Sequence, residues 1–167
     1  MSEAEYLALP EVKPYLEYVD GVVRQKPMPN STHRRLVGRM TIAIGRYAER
    51  AGGDFGPEGR VQLSASDYLI PDMAYWLPGR NSGDDSIPTL VIEVRSAGQS
   101  MRHLRSKCRF YREGGVDAAW LIDPASRTIE VFEGESDGMR LDETSLLTLP
   151  LLPGFELPLK QLFGALD

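Results

Sequence analysis

Apolar side chains recur along the chain at two different spacings, which separate helices from strands. In residues 31–51 they recur at positions 36, 37, 40, 44, 47 and 51, and Gly52-Gly53 follow. Steps of three and four place these residues on one face of an α-helix, and a glycine pair is a common end. Residues 100–113 predict a second helix of this kind, ended by Gly114-Gly115.

The remaining apolar runs are short and predict strands. "EYVDGVVRQ" places Asp20-Gly21 between apolar flanks, which predicts a hairpin near residues 15–26. "RVQLSA" and "DYLIPDMAYW" predict strands of a meander within 54–77, interrupted at Pro71 because proline cannot donate a ladder hydrogen bond. "LVIEVRS" predicts a buried strand, "AAWLID" and "TIEVFE" predict a second hairpin, and "LPGFELPLKQLF" predicts a turn and a short helix.

Hairpins combined with one strand-to-helix unit predict an α/β (α+β) fold, with a mixed β-sheet flanked by helices and with N-terminal and C-terminal β-hairpins. The length of 167 residues and the 42% apolar content predict a single domain over residues 1–167. One cysteine and two histidines exclude an internal disulfide and a zinc-ligand pattern. An acidic start and the lack of a long apolar run predict a cytoplasmic location without membrane contact.

Two charges interrupt the apolar strand "LVIEVRS". Glu93 and Arg95 lie two positions apart, so a strand would point them the same way. Lys107 falls near the middle of the apolar face of the following helix, with His103 beside it. A lone lysine there would most simply extend to the rim along its carbon stem. The alternative is that the helix packs back on the strand, which brings Lys107 to Glu93.

Two further acids occur in strand-like runs. Asp72 follows Pro71, where a turn is the simpler interpretation, and Glu17 lies in the first hairpin, where a surface position is the simpler one. Taken together with Glu93 and Lys107, they suit a hard divalent cation bound by oxygen. His33, at the start of the first helix, is either a capping or surface residue or a neighbour of such a site.

Arginines form one stripe on each predicted helix. Ten of the 19 lysines and arginines fall within residues 31–50 and 101–113, although the formal net charge is -5. Such stripes are usually solvated, but two of them raise the expectation of contact with a phosphate backbone. The candidates for phosphate contacts are Arg35, Arg39, Arg102, Arg105 and Arg109.

The order of these motifs resembles the PD-(D/E)XK nuclease superfamily, and within it the Uma-two family of restriction endonuclease-like proteins. The matching stretches are "EYVDGVV", "MPNSTHRRLVGRM", "LIPDMAYW", "LVIEVRS", "KCRFYREGGVDAAWLIDP" and "LLPGFELPLKQLF", over about residues 15–163. The resemblance implies a restriction-endonuclease-like core, Mg²⁺ held by Asp72 and Glu93, and Lys107 as the catalytic lysine. It also implies that Glu17 and His33 belong to the site.

Three positions depart from the family pattern. Ala97 stands where proline is usual, His103 where an acid is usual, and Arg95 directly follows the "EV" of the metal-binding strand. Arg95 could replace the missing lysine or pair with Glu93, and the sequence leaves both open. His103 and Arg95 are therefore counted as accessory candidates.

The leading hypothesis is a Mg²⁺-dependent DNA endonuclease, in which Mn²⁺ can substitute, with catalytic residues Glu17, Asp72, Glu93 and Lys107. Cutting two strands with one small domain further suggests a homodimer. The alternative is a catalytically inactive nuclease-fold protein that binds nucleic acid or another protein. A weaker third hypothesis uses Asp72 and Glu93 as a paired acid and base without metal, as in glycosidases.

Overall fold

The computed structural model describes residues 1–167. The helices are α1 (Glu3–Leu7), α2 (Ser31–Ala51), α3 (Met101–Glu113) and α4 (Leu159–Phe163), with a 3₁₀ turn at Gly164–Leu166. The strands are β1 (Leu16–Val19), β2 (Val22–Gln25), β3 (Asp54–Pro57), β4 (Val61–Ser64), β5 (Asp67–Leu69), β6 (Met73–Trp76), β7 (Leu90–Val94), β8 (Ala118–Asp123), β9 (Thr128–Glu133), β10 (Ser136–Asp142), β11 (Leu146–Thr148) and β12 (Glu156–Pro158).

The two long helices begin and end as their sequences predict. The Asn30 side chain accepts the backbone N–H of His33 and so caps α2, and Ser100 does the same for His103 at α3. At the other end of α2, Gly52 has a φ of 81°, a conformation that glycine adopts without strain. The cap at Asn30 also fixes His33 in the first turn of α2.

A six-stranded mixed sheet forms the centre of the molecule, in the order β10-β9-β8-β7-β6-β3. Only β7 and β8 are parallel, and α3 is the connection between them. The side chains of β7 alternate between two cores. Leu90 and Ile92 pack with α2 residues, whereas Val91 packs with α3 residues. Glu93 is therefore directed to the α3 side.

A smaller sheet, in the order β2-β1-β5-β4, carries the first hairpin. The turn at Asp20-Gly21 sets a register in which Glu17 lies opposite Arg24. Tyr18 pairs with Tyr68 of β5, and its ring stacks on Tyr6 at 5.0 Å between centroids. These tyrosines hold the hairpin in place on the rest of the molecule.

The structure confirms the mixed α+β fold, both long helices and the hairpins β1–β2 and β8–β9, but it corrects the meander predicted for residues 54–77. There, β3 and β6 pair in the main sheet, while β4 and β5 pair in the smaller one. The chain crosses between the sheets at Ile70–Asp72, around Pro71. Strand periodicity marks each strand but does not say which sheet it joins.

Sequence patterns missed α1, β10 and the pair β11–β12. In β10, "SDGMRLD" is largely exposed at the edge of the main sheet, so no apolar stripe marks it. Helix α1 has only five residues, which is too short for helical periodicity to show. No helix of the chain combines the length and the apolar character that a membrane crossing requires.

Candidate functional site

Glu93 lies in β7 with its carboxylate buried against α3. The residue is 3% exposed, and its Oε1 lies 2.8 Å from the Tyr111 hydroxyl and 2.8 Å from Lys107 Nζ. Strands β6 and β8 pair on either side of β7, so its backbone cannot shift freely. The structure therefore holds this acid rigidly between a sheet and a helix.

Lys107 bridges two acids rather than extending to solvent. Its Nζ donates to Glu17 Oε1 at 2.7 Å and lies 2.8 Å from Glu93 Oε1, with the side chain 10% exposed. The expected approach of Lys107 to Glu93 is confirmed, and the simpler interpretation of a lysine extended to the rim is wrong. A lysine on the apolar face is tolerated because two carboxylates offset its charge.

Glu17 connects the hairpin to the other parts of the site. Its Oε1 accepts the backbone N–H of Ile70 at 2.9 Å as well as the ammonium of Lys107. The simpler surface interpretation of Glu17 is therefore wrong. This one oxygen links β1, the segment after β5, and α3, so the small sheet and the large one meet at the acid.

Asp72 lies between β5 and β6, where three groups bind its carboxylate. Lys26 Nζ donates to Oδ1 at 2.8 Å, Val94 N donates to Oδ2 at 2.8 Å, and His33 Nε2 lies 3.0 Å from Oδ2. The residue is 5% exposed, so it is not a simple turn residue. Because Val94 follows Glu93 directly, its N–H also fixes Asp72 relative to Glu93.

Ion pairing and burial act in opposite directions on these groups. Burial favours a raised pKa for Asp72, but the hydrogen bond from His33 and the charge of Lys26 outweigh it and hold the pKa below its usual range. Burial raises the pKa of Glu93, and Lys107 only partly offsets that. For Lys107, burial alone would lower the pKa, yet Glu17 and Glu93 raise it, so this residue is an ammonium rather than a base at neutral pH.

Sequence reasoning missed Lys26 and Tyr111, although both had a detectable signal. The Asp20-Gly21 turn fixes the hairpin register, and Lys26, two residues beyond Arg24, shares the face that carries Glu17. Tyr111 lies one helical turn beyond Lys107, so the two share a face of α3. Neither inference needs tertiary information.

A cavity of about 430 Å³ lies over these acids. Lys13, Arg24, Lys26, Arg34 and Lys107 line it, as do His33 and His103. Basic side chains beside buried carboxylates suit an anionic ligand that binds together with a cation.

The five arginines predicted as phosphate contacts do not line this cavity. Arg105 binds Glu130 through two nitrogens, and Arg109 binds Asp137 at 2.8 Å. Arg35, Arg39 and Arg102 are exposed. The cavity instead presents Arg24 and Arg34, which lie off the two predicted stripes.

Arg95 faces away from Glu93. Strand β7 ends at Val94, and the Arg95 guanidinium donates to Gln99 O at 2.9 Å and to Asp123 Oδ1 at 3.3 Å. The alternative in which Arg95 pairs with Glu93 is therefore wrong. The alternation of side chains along a strand predicted this pairing, but β7 ends at Val94, so the alternation does not extend to Arg95.

The carboxylate oxygens of the site are the type of ligand that binds a hard divalent cation, but they are not arranged as a complete set of ligands around one point. No group of three or more His, Cys, Asp or Glu side chains is arranged to hold a metal ion. The carboxylates are instead paired with ammonium groups. Lys26 forms an ion pair with Asp72, and Lys107 forms ion pairs with Glu17 and Glu93. Oxygen ligands from two carboxylates suit an ion that keeps several waters, as Mg²⁺ does.

Comparisons with known proteins agree with this architecture. A sequence model of the family Uma2, described as "Putative restriction endonuclease", matches residues 3–160. A crystal structure from Anabaena variabilis ATCC 29413, described as "a putative nuclease belonging to DUF820", superposes with a TM-score of 0.88. It is 24% identical, and the match covers 100% of this chain and 99% of that one, which shows a shared fold. No functionally curated protein matches the chain.

Proposed function

Since this chain belongs to the Uma2 family, described as "Putative restriction endonuclease", we propose that it is a Mg²⁺-dependent DNA endonuclease that hydrolyses phosphodiester bonds. The observation that carries the proposal is the meeting of Glu17, Asp72, Glu93 and Lys107 at one cavity. These residues come from four separate segments, and all four were candidates on sequence grounds.

The charges of the site suit a phosphodiester once a divalent ion is present. Among the groups that are bonded to one another, Lys26 and Lys107 offset two of the three carboxylates, which leaves one negative charge if His33 is neutral. A divalent ion reverses this to one positive charge, which matches the single negative charge of a phosphodiester. Without an ion, the three acids would disfavour a phosphate placed directly against them, although Lys13, Arg24 and Arg34 in the same cavity wall attract it.

The proposed metal ligands are Asp72 and Glu93. A bound Mg²⁺ would polarise the phosphate and make a coordinated water more acidic. Tyr111 and Lys107 orient the Glu93 carboxylate, and His33 and Val94 N orient that of Asp72. The Lys107 ammonium, held by Glu17, presents a fixed positive charge where negative charge grows on the phosphate oxygens.

Arg24, Arg34 and Lys13 extend this positive lining to the edge of the cavity. They are the proposed contacts to phosphates next to the one that is cut. Two such sites would let both strands of a duplex be cut in one encounter, which is why a homodimer is part of the proposal.

Nicking of supercoiled plasmid DNA with Mg²⁺ or Mn²⁺ tests the proposal. Glu93→Gln keeps the shape of the side chain but removes a charged ligand, and we expect nicking to fall at least about a hundredfold. Glu130→Gln is the matched control, because Glu130 is also buried but pairs with Arg105. Equal nicking by both variants, or nicking that persists in a chelator, contradicts the proposal.

One observation favours a second candidate, a nuclease-fold protein that binds nucleic acid without cutting it. Asp72 and Glu93 each already have a lysine partner, so the network needs no metal to be stable. Calorimetric titration with Mn²⁺ separates the two functions. If the unaltered protein binds Mn²⁺ and Glu93→Gln does not, the result favours the endonuclease. If the unaltered protein gives no heat of Mn²⁺ binding, the result favours the second candidate.

A further inference from the structure

Lys26 lies outside the helices and strands, whereas Lys107 lies within α3. Lys26 directly follows β2, at the start of the segment that leads to α2, and its own N–H donates to Tyr15 O at 2.9 Å. The next residues, Pro27, Met28 and Pro29, are exposed, and Met28 is 70% exposed. The Lys26 stem can therefore turn into the cavity without any change in the core.

The Lys26 ammonium occupies a place that suits any cation. It donates to Ile70 O at 2.7 Å and to Asp72 Oδ1 at 2.8 Å, and its side chain is 11% exposed. A backbone carbonyl and a carboxylate oxygen are also the ligands that a hard divalent ion prefers. The ammonium thus stands where such an ion could bind.

The two oxygens of Asp72 differ in what holds them. Oδ2 accepts from His33 and from the backbone of Val94, which belong to α2 and β7. Oδ1 is bonded only by Lys26. An ion that approaches Oδ1 meets the positive charge of Lys26 at short range, and like charges there repel strongly. The divalent ion and the Lys26 ammonium therefore cannot both bind Oδ1 favourably.

We propose that Lys26 is a displaceable counter-ion of Asp72, which yields Oδ1 to the divalent ion and then contacts the substrate phosphate from the wall of the cavity. This inference rests on the proposed function and adds a regulation to its site. Lys26 keeps Asp72 paired while no ion is present. Once displaced, it adds a positive charge to the cavity only when the metal is bound, so metal binding and phosphate binding support each other.

Metal affinity is the first test. Lys26→Met keeps the length of the stem and removes the charge, so calorimetry should show Mn²⁺ binding about tenfold tighter than in the unaltered protein. Lys13→Met is the control, because Lys13 lines the same cavity but does not bond Asp72. We expect it to leave the Mn²⁺ affinity nearly unchanged.

DNA affinity is the second test, with Ca²⁺ as the ion. In Ca²⁺, Lys26→Met should bind a short DNA duplex several-fold more weakly than the unaltered protein, since it has lost a phosphate contact. In a chelator, the difference between the two proteins should be smaller, because Lys26 is then bonded to Asp72 and makes no phosphate contact. A loss of the same size in both conditions contradicts the displacement of Lys26.

The outcomes separate this inference from the function on which it rests. Equal Mn²⁺ affinity of Lys26→Met and the unaltered protein, when the unaltered protein nicks plasmid DNA, overturns only the displacement. No Mn²⁺ binding by either protein overturns both. Tighter binding by Lys26→Met and Lys13→Met alike shows a general charge effect and overturns the specific role of Lys26.

Discussion

Lys107 Nζ lies 2.8 Å from Glu93 Oε1 and 2.7 Å from Glu17 Oε1, so one buried ammonium holds two carboxylates that come from different sheets. The pairing joins the small sheet to the large one at the cavity. It also makes the site sensitive to any loss of charge balance, because each member depends on the others for its stability in a buried position.

Replacing Lys107 should therefore destabilise the fold as well as stop nicking. Lys107→Met leaves Glu17 and Glu93 buried without a cation, and we expect the free energy of unfolding to fall by about 3 kcal/mol. Urea denaturation without metal measures this. Lys160→Met, at an exposed position of α4, should change the stability little. A stable, fully active Lys107→Met would contradict both roles.

Tyr111 should position Glu93 rather than only fill the core. Tyr111→Phe removes the hydrogen bond to Glu93 Oε1, which should lower the free energy of unfolding by about 1 kcal/mol and weaken Mn²⁺ binding. Tyr75→Phe is the matched control, since Tyr75 is equally buried and donates to Gly52 O away from the site. If both variants bind Mn²⁺ equally well, Tyr111 is only a structural residue.

Arg95 should prove unnecessary for cleavage. Its guanidinium contacts Gln99 and Asp123 and not the acids of the site, so Arg95→Met should nick plasmid DNA at a rate within about twofold of the unaltered protein. The free energy of unfolding should fall by about 1 kcal/mol. A complete loss of nicking by a folded Arg95→Met would instead support Arg95 in the lysine role.

Asp123 should contribute to stability in a pH-dependent way. Burial favours a raised pKa, but hydrogen bonds from Ser126 and Arg95 outweigh it, so the pKa of Asp123 lies below the 3.8 of a free aspartate. Well above pH 3.8 the Asp123 carboxylate is ionised in both the folded and the unfolded chain, so its full contribution to the free energy of unfolding is present. As the pH falls below about 4, the unfolded chain takes up the proton first, so the contribution is lost on acidification.

Asp123→Asn should accordingly flatten the acid side of the stability profile. Urea denaturation from about pH 5 to pH 3 measures the slope, which should be smaller in the variant than in the unaltered protein. Asp84→Asn is the control, because Asp84 is exposed and remote from this hydrogen-bond group. Identical slopes for Asp123→Asn and the unaltered protein would show that these hydrogen bonds do not favour the ionised form.

Local patterns were sufficient for much of the candidate site. Helical spacing placed Lys107 on the face of α3 that meets the sheet, and the strand just before it supplied Glu93. The Asp20-Gly21 turn fixed the register of the hairpin that carries Glu17. These features depend on neighbours within a few residues, and turn chemistry and side-chain periodicity act over that range.

The partners of Asp72 and Arg95 could not be predicted in this way. Asp72 meets Lys26, His33 and Val94 because the chain crosses between two sheets at Pro71. Arg95 turns to Asp123 because β7 ends one residue earlier and the next parallel strand brings that acid alongside. Arg105 and Arg109, which formed an apparently free stripe, bind acids of β9 and β10.

The sequence by itself determined the two long helices, the hairpins β1–β2 and β8–β9, the mixed fold, and the acids and lysine that could form a site, since each follows from side-chain spacing along a short segment. Only the tertiary structure decided which strand joins which sheet and which charges become partners. Those outcomes depend on contacts between segments far apart in the chain, where burial makes an unpaired charge costly and so selects the pairs that form.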